Sequence, residues 1–288
     1  MLLALVTSSL SASVQAGPPP RQVSAPHVRV ELIADSPAPV KGQPVWIGVR
    51  FVLEPEWHVY WQNPGDSGGP PAVEWHLPKG VTAGDIQWPV PERIEAGPIV
   101  NYGYQGEVVF PVSLRLAPEA AHGFTVRASI KWLVCRDMCL PGKADLELTL
   151  PLAADLRATA KSWAALVKSS LDLVPRKAPA SWNATARSEG DRLVIAIDTG
   201  RPEKGGVFFP LDADQIDDSA KQEVSPLPRG IRFNLRKSDR LLKLPSRLRG
   251  VVSLTSRPAF VIAAPVVDAP APTRSGRNEE EQQSGGQR

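Results

Sequence analysis

Long stretches of the sequence alternate apolar and polar residues, and this alternation constrains the fold more than any other feature. Apolar side chains recur at every second position within 45–53, 108–116, 124–134 and 146–152. A period of two puts one set of side chains on one face of a β-strand. Shorter strand candidates cover 28–33, 57–61 and 72–77, with Pro- and Gly-rich turns between them. The pattern predicts an all-β, immunoglobulin-like antiparallel β-sandwich over 17–153.

The character of the sequence changes after this region. Apolar residues fall at helical spacing at Leu156, Ala160, Trp163, Val167 and Leu171, and Pro175 follows them. This spacing predicts a linker helix over 154–178. Further short apolar runs predict a second, smaller β-sandwich-like domain over 179–267. The segment 268–288 has no apolar periodicity, so we expect a disordered tail there.

The first sixteen residues have the character of an export signal. An apolar run is followed by small residues that end at Ala16, which is the pattern of a signal-peptidase site. No Lys or Arg precedes Arg21, so either the start is clipped or the free amino terminus supplies the only charge. We predict a signal peptide over 1–16 and export to a compartment where disulfides persist. No later apolar run is long enough to cross a bilayer as a helix, so we predict no transmembrane segment in the mature chain.

Charge and cysteine content exclude two classes of function. The chain has 33 Lys and Arg against 30 Asp and Glu, for a formal net charge of +3. This balance, with no basic stripe, argues against a nucleic-acid partner. The chain contains two Cys, which excludes a four-thiolate zinc site.

The two cysteines, Cys135 and Cys139, lie between two strong strand patterns and are separated by three residues. A hairpin bend there can bring their Cα atoms within the ~4.4–6.8 Å of a disulfide. Closing so small a ring contributes roughly 2 kcal/mol to stability in the chain-entropy model, and a loop disulfide is more easily reduced than a buried one. The adjacent Arg136 would favour a thiolate. From the residues alone, redox exchange, a structural staple and a metal site all remain open.

Several motifs resemble one known family. They are the run at 60–68 (Tyr-Trp-Gln-Asn-Pro-Gly-Asp-Ser-Gly), the segments 86–91, 101–104 and 132–142, the Phe-Phe-Pro at 208–210, and the segment 248–264. Together they resemble the periplasmic N-terminal (alpha) region of DsbD-like thiol:disulfide interchange proteins. Within that family the resemblance is strongest to the branch called suppressor of copper sensitivity, ScsB. It spans roughly residues 27–265.

The resemblance implies a periplasmic electron relay without a bound cofactor. Cys135 and Cys139 would be the redox couple, taking electrons from a membrane-embedded donor domain and passing them to periplasmic thioredoxin-like proteins. The chain would then be a component of a protein-disulfide reductase. Family members usually continue into membrane helices that this sequence lacks, so the donor is expected to act in trans unless the chain is a truncated protein. The family analogy also favours Cys139 as the sulfur that is attacked.

The resemblance also predicts which residues lie beside the redox pair. Arg136, Asp137 and Met138 stand between the two cysteines. In the best-known DsbD branch a loop with an aromatic residue caps the disulfide, and it would fall near 92–101 here. That segment has no aromatic residue, so Ile99 or Tyr102 is the candidate substitute.

Other interpretations stay open at this stage. Cys135, Met138 and Cys139 could form a soft ligand set for Cu(I), which would make the chain a periplasmic copper-binding or copper-tolerance protein. A non-enzymatic β-sandwich binding module with a structural disulfide is a second alternative. The Gly-Asp-Ser-Gly-Gly-Pro run at 65–70 matches the nucleophile motif of chymotrypsin-like proteases, but no histidine stands at the expected distance, so we interpret it as a turn.

Overall fold

The structure is a computed structural model that describes residues 21–36, 44–117, 123–151, 163–255 and 257–268. The predicted signal peptide over 1–16 lies outside the described residues. So do residues 154–162 of the predicted linker helix and residues 269–288 of the predicted tail.

The described chain forms nineteen strands and one α-helix. The strands before the helix are β1 (Gln22–Ala25), β2 (Val28–Ala34), β3 (Val45–Leu53), β4 (His58–Gly65), β5 (Ala72–His76), β6 (Val81–Ala83), β7 (Glu92–Ala96), β8 (Ile99–Gln105), β9 (Glu107–Leu116), β10 (Phe124–Cys135) and β11 (Cys139–Leu150). After the helix α1 (Ala164–Asp172) come β12 (Arg176–Lys177), β13 (Asn183–Glu189), β14 (Arg192–Asp198), β15 (Gly206–Pro210), β16 (Glu223–Leu227), β17 (Gly230–Arg236), β18 (Arg247–Leu254) and β19 (Phe260–Asp268).

Two antiparallel sheets are formed by the strands before the helix. One has the order β1-β2-β3-β9-β6, and the other has the order β11-β10-β4-β8-β7, with β5 paired to β10. Phe51 on β3 shows how the two sheets pack, because its ring lies 5.6 Å from Phe110 in its own sheet and 5.9 Å from Trp132 in the other. Period-two alternation therefore buries one face of strands such as β10, and the predicted immunoglobulin-like sandwich is confirmed.

The helix α1 confirms part of the predicted linker helix. Val167 is buried and packs with Ile33 and Val109. The guanidinium of Arg50 lies 5.0 Å from the ring centroid of Trp163, just before the first turn. An amphipathic helix buries its apolar stripe in this way.

The strands after the helix form one more sheet, in the order β15-β18-β19-β13-β14-β17-β16, with β12 paired to β19. Its core contains Ile195, Phe208, Phe233 and Val252, all fully buried. By contacts among Cα atoms the chain divides into two compact units. Asn63–Ser67 and Val90–Tyr102 group with the unit that begins at Pro175, although they are distant from it in sequence.

Candidate redox site

The cysteine pair lies at the closed end of the β10–β11 hairpin. Twelve residue pairs join these strands, and Cys135 faces Cys139 as the last of them. The two sulfurs form a disulfide, and their Cα atoms lie 4.2 Å apart. The Arg136 amide donates to the Met138 carbonyl oxygen across the three-residue loop, at 3.2 Å. The two alternating patterns in the sequence thus create the bend that closes the disulfide.

The two cysteines differ sharply in exposure. Cys135 is 2% exposed, because β10 continues far enough to pair with β4, where Cys135 faces His58. Cys139 begins β11 and is exposed. The sequence suggested that both cysteines lie on an open loop, whereas the structure exposes one of them. A thiolate that attacks a disulfide must reach one sulfur along the S–S axis, and access favours Cys139.

Tyr60 is the polar neighbour of the exposed cysteine. Its side chain is fully buried, but its hydroxyl oxygen lies 3.4 Å from Cys139 Sγ. A disulfide sulfur carries no proton, so the hydroxyl is the donor. His58, two residues earlier on β4, places its ring 5.1 Å from the Tyr60 ring. Burial lowers the pKa of His58, so its imidazole is neutral at pH 7.

Tyr60 is held in place by the glycine-rich run that follows β4. Gly68 has a φ of +87°, and a Cβ atom there would lie 2.1 Å from Cζ of Tyr60. Only glycine combines this left-handed backbone with so close an approach to the ring. Tyr60 belongs to the run that carried the family resemblance, but sequence reasoning did not identify it as a site residue.

The Gly-Asp-Ser-Gly run has structural hydrogen bonds instead of a catalytic base. Ser67 Oγ donates to Asn101 Oδ1 at 2.9 Å, and Asp66 Oδ2 accepts from the amide of Val100 at 2.8 Å. These contacts fit the interpretation of this run as a turn.

The three residues of the hairpin loop have distinct surroundings. Arg136 pairs with Asp137 Oδ2 at 2.8 Å and with Glu56 Oε2 at 3.6 Å, and its guanidinium carbon lies 5.4 Å from the Trp57 ring centroid. Met138 is 64% exposed. The idea that Arg136 favours a thiolate stays a prediction, since its described partners are carboxylates and an aromatic ring.

The candidate cap residues lie on a β-hairpin instead of a loop. Ile99 begins β8 and is partly buried. Tyr102 is fully buried, donates from its hydroxyl to Asp218 Oδ1 at 2.8 Å, and packs its ring 5.3 Å from Phe209. These three residues belong to the same compact unit. A role for Ile99 or Tyr102 beside the disulfide stays a prediction.

Metal binding has no support beyond the cysteine loop itself. No group of three or more His, Cys, Asp or Glu side chains within the described residues is arranged to hold a metal ion. The proposed copper ligands Cys135, Met138 and Cys139 share one loop, but the two sulfurs are bonded to each other here. Copper binding would therefore need the reduced pair, and it stays a prediction.

Part of the chain matches a known family, and its fold resembles a solved structure. The family described as "Thiol:disulfide interchange protein DsbD, N-terminal" matches residues 29–151, which include both cysteines. The N-terminal periplasmic domain of ScsB from Proteus mirabilis has a similar fold, with a TM-score of 0.64 and 17% identity, over 85% of this chain and 97% of that one. A search of curated proteins found no match. Among the described helices, none has the length and apolar character needed to span a membrane. The resemblance drawn from the sequence motifs is thus confirmed, and residues 29–151 match the N-terminal family of the thiol:disulfide interchange protein DsbD.

Proposed function

We propose that this chain is a periplasmic thiol:disulfide interchange domain that relays electron pairs through Cys135 and Cys139. The observation that carries the proposal is the asymmetry of the disulfide. One sulfur belongs to an exposed residue with a hydroxyl donor beside it, and the other belongs to a buried residue. A structural staple needs no such difference between its two ends.

Reduction of the domain would proceed in two exchanges. A thiolate of the reduced partner attacks Cys139 Sγ and forms a mixed disulfide, while the Cys135–Cys139 bond breaks and Cys135 leaves as a thiolate that takes up a proton. The second thiolate of the partner then attacks its own sulfur in the mixed disulfide and releases Cys139. The partner becomes a disulfide and the domain a dithiol, so one electron pair has moved.

Tyr60 contributes to the second exchange. When Cys139 is released as a thiolate, the hydroxyl at 3.4 Å can donate a hydrogen bond to it. A hydrogen bond to the charged form stabilises that form, so Cys139 becomes a better leaving group. The same contact keeps Cys139 ready to attack an oxidised acceptor afterwards.

The partners follow from the family resemblance. We propose a membrane-embedded electron donor, in the same protein or in trans, and periplasmic thioredoxin-like acceptors. The similar domain of ScsB from Proteus mirabilis is periplasmic, which supports the same location for this chain. A role in copper tolerance is the alternative, and reduced protein that bound Cu(I) tightly but lost this affinity in Met138→Leu would favour it.

Single-cysteine variants test the asymmetry. We expect Cys135→Ser, which keeps the exposed Cys139, to form a mixed disulfide with oxidised glutathione at least about tenfold faster than Cys139→Ser, because access controls thiol reactivity. Intact-mass spectrometry would measure both rates in folded protein, and the oxidised wild type, which has no free thiol, is the control. Equal rates, or no adduct with either variant, would contradict the proposal.

A second measurement separates exchange from a staple. The wild-type disulfide should open with dithiothreitol while the protein remains folded. A bond that resisted reduction until the protein unfolded, and whose removal clearly lowered the melting temperature, would support the binding-module alternative.

A further inference from the structure

A cleft opens directly beside the redox hairpin. Its volume is about 330 Å³, and its apolar walls come from Pro55, Trp57, Met138 and Leu140. We call it the hairpin cleft. Met138 and Leu140 are the two chain neighbours of Cys139, so the hairpin cleft is lined by the residues on either side of the exposed cysteine.

A stack of two rings also lines the hairpin cleft. Trp57 is 6% exposed, and the His27 ring lies parallel to it at 3.8 Å. His27 Nδ1 lies 2.7 Å from Glu54 Oε2, which holds the imidazole in this orientation. With Arg136 also over the indole, the wall is formed before any partner arrives.

Two tight turns carry this stack. His27 and Glu56 have positive φ, at 63° and 69°, and each follows a proline, Pro26 and Pro55. A positive φ directly after a proline is usual in one of the common β-turn types. The two turns therefore fix where His27 and Trp57 stand at the hairpin cleft.

The rim of the hairpin cleft carries more acidic than basic side chains. Glu54 and Asp137 line it, with side chains that are 62% and 80% exposed. Arg136 lines it too, and it pairs with Asp137 and with Glu56, whose side chain is 77% exposed. A partner with a basic residue at the matching position would gain attraction that salt weakens.

We propose that the hairpin cleft receives an apolar side chain that the partner protein carries next to its attacking cysteine, with a basic residue of the partner facing the acidic rim. The inference rests on the proposed function, because the partner's sulfur must reach Cys139. A partner bonded to Cys139 lies against Met138, and that exposed side chain is covered when an apolar group enters beside it. The hairpin cleft would then select partners by the residues that flank their cysteine.

Synthetic peptide thiols test this selection. The three probes are Lys-Leu-Cys-Leu-Lys, Lys-Ser-Cys-Ser-Lys and Glu-Leu-Cys-Leu-Glu, with blocked ends. Their symmetry makes the direction of binding irrelevant. The measured quantity is the rate constant of mixed-disulfide formation with oxidised protein, expressed per peptide thiolate so that differences in thiol acidity cancel.

The wild type should react about tenfold faster with the leucine-lysine peptide than with the serine-lysine peptide, the factor that burial of one apolar side chain typically gives. In Met138→Ser this preference should shrink to about threefold or less. The peptide leucine and the Met138 side chain contact each other, so removing either partner removes that contact. The matched control is Leu173→Ser, since Leu173 is 56% exposed and lies after α1, and it should keep the full preference. The glutamate peptide should react more slowly than the lysine peptide at low salt. The two rate constants should become equal near ~0.5 M salt, because salt screens the charges.

Equal rates for the leucine and serine peptides with the wild type, or a preference unchanged in Met138→Ser, would overturn the inference while leaving exchange intact. No difference between the lysine and glutamate peptides at low salt would overturn the part played by the acidic rim. Failure of the proposed function is seen separately, because the wild type would then react neither with dithiothreitol nor with any peptide.

Discussion

Two buried tyrosines, Tyr60 and Tyr102, direct their hydroxyl groups to very different partners. Tyr60 meets Cys139 Sγ at a partly buried site, whereas Tyr102 meets the carboxyl group of Asp218 at a fully buried one. The first partner is exposed and can change its bonding. The second is 3% exposed and held on its backbone side by Arg93, which donates to the Asp218 carbonyl oxygen at 2.9 Å.

On the proposed function, the tyrosine hydroxyl would serve thiol–disulfide exchange in one unit, whereas it pairs with a buried carboxyl group in the other. A hydroxyl beside an accessible sulfur can stabilise a charge that forms transiently during exchange. A hydroxyl beside a buried carboxyl group satisfies a polar atom whose isolation would destabilise the fold. We therefore expect changes at Asp218 and Tyr102 to alter stability, and changes at Tyr60 to alter redox behaviour.

The largest expected effect is at Asp218, whose pKa is raised to about 6, chiefly by burial. Below about pH 3 the carboxyl group is largely neutral in both folded and unfolded chains. As the pH rises to about 6, this group ionises in the unfolded chain before it ionises in the folded one, so the wild type loses up to about 3 kcal/mol of stability. Asp218→Asn keeps an oxygen acceptor for Tyr102 and cannot ionise, so it should be more stable than the wild type at pH 7.

Urea unfolding of the wild type and Asp218→Asn at pH 4 and pH 7 measures this difference. Asp239→Asn is the control, because its side chain is 93% exposed and should not change the pH dependence. If the wild type and Asp218→Asn had the same pH dependence of stability, burial would not raise the pKa of Asp218 as proposed.

Removing the hydroxyl of Tyr102 should have a smaller effect of the opposite sign. Tyr102→Phe takes the donor from a buried carboxyl group, so we expect a loss of about 2 kcal/mol at pH 7. The pKa of Asp218 should rise further, because the hydrogen bond from Tyr102 lowers it. The rate of reduction by dithiothreitol should stay within about twofold of the wild type, and a faster rate would instead support Tyr102 as a cap of the disulfide.

The smallest effect in free energy is expected at Tyr60. Tyr60→Phe removes one hydrogen bond to sulfur, worth about 1 kcal/mol, or roughly a fivefold change in an equilibrium constant. The Cys139 thiolate loses its donor, so the equilibrium with glutathione should shift toward the disulfide while the stability of the oxidised protein changes little. An unchanged equilibrium constant would contradict a role of Tyr60 in the proposed exchange. The matched control is Tyr104→Phe, because the Tyr104 hydroxyl donates to the Pro89 carbonyl oxygen at 2.7 Å.

Strands with a clear apolar alternation could be predicted, and strands of mostly polar or small residues could not. The prediction for 124–134 corresponds to β10, in which every second residue from Phe124 to Val134 is buried. In contrast, β7 buries only Ile94 among its five residues, and β13 consists mostly of polar and small residues. Such strands are formed by pairing with neighbours that lie far away in sequence, so their own residues carry little signal.

The sequence by itself determined that two cysteines would meet at the end of a hairpin, because two alternating segments flank them and three residues separate them. It could not determine which sulfur is accessible, because that depends on Cys135 facing His58 on a strand more than seventy residues earlier. It also could not assemble Tyr60, Gly68 and Cys139, or His27 and Trp57, which come from separate segments. Local alternation is a property of neighbouring residues, whereas burial and hydrogen bonding depend on which distant segments pack together, and only the tertiary structure decides that.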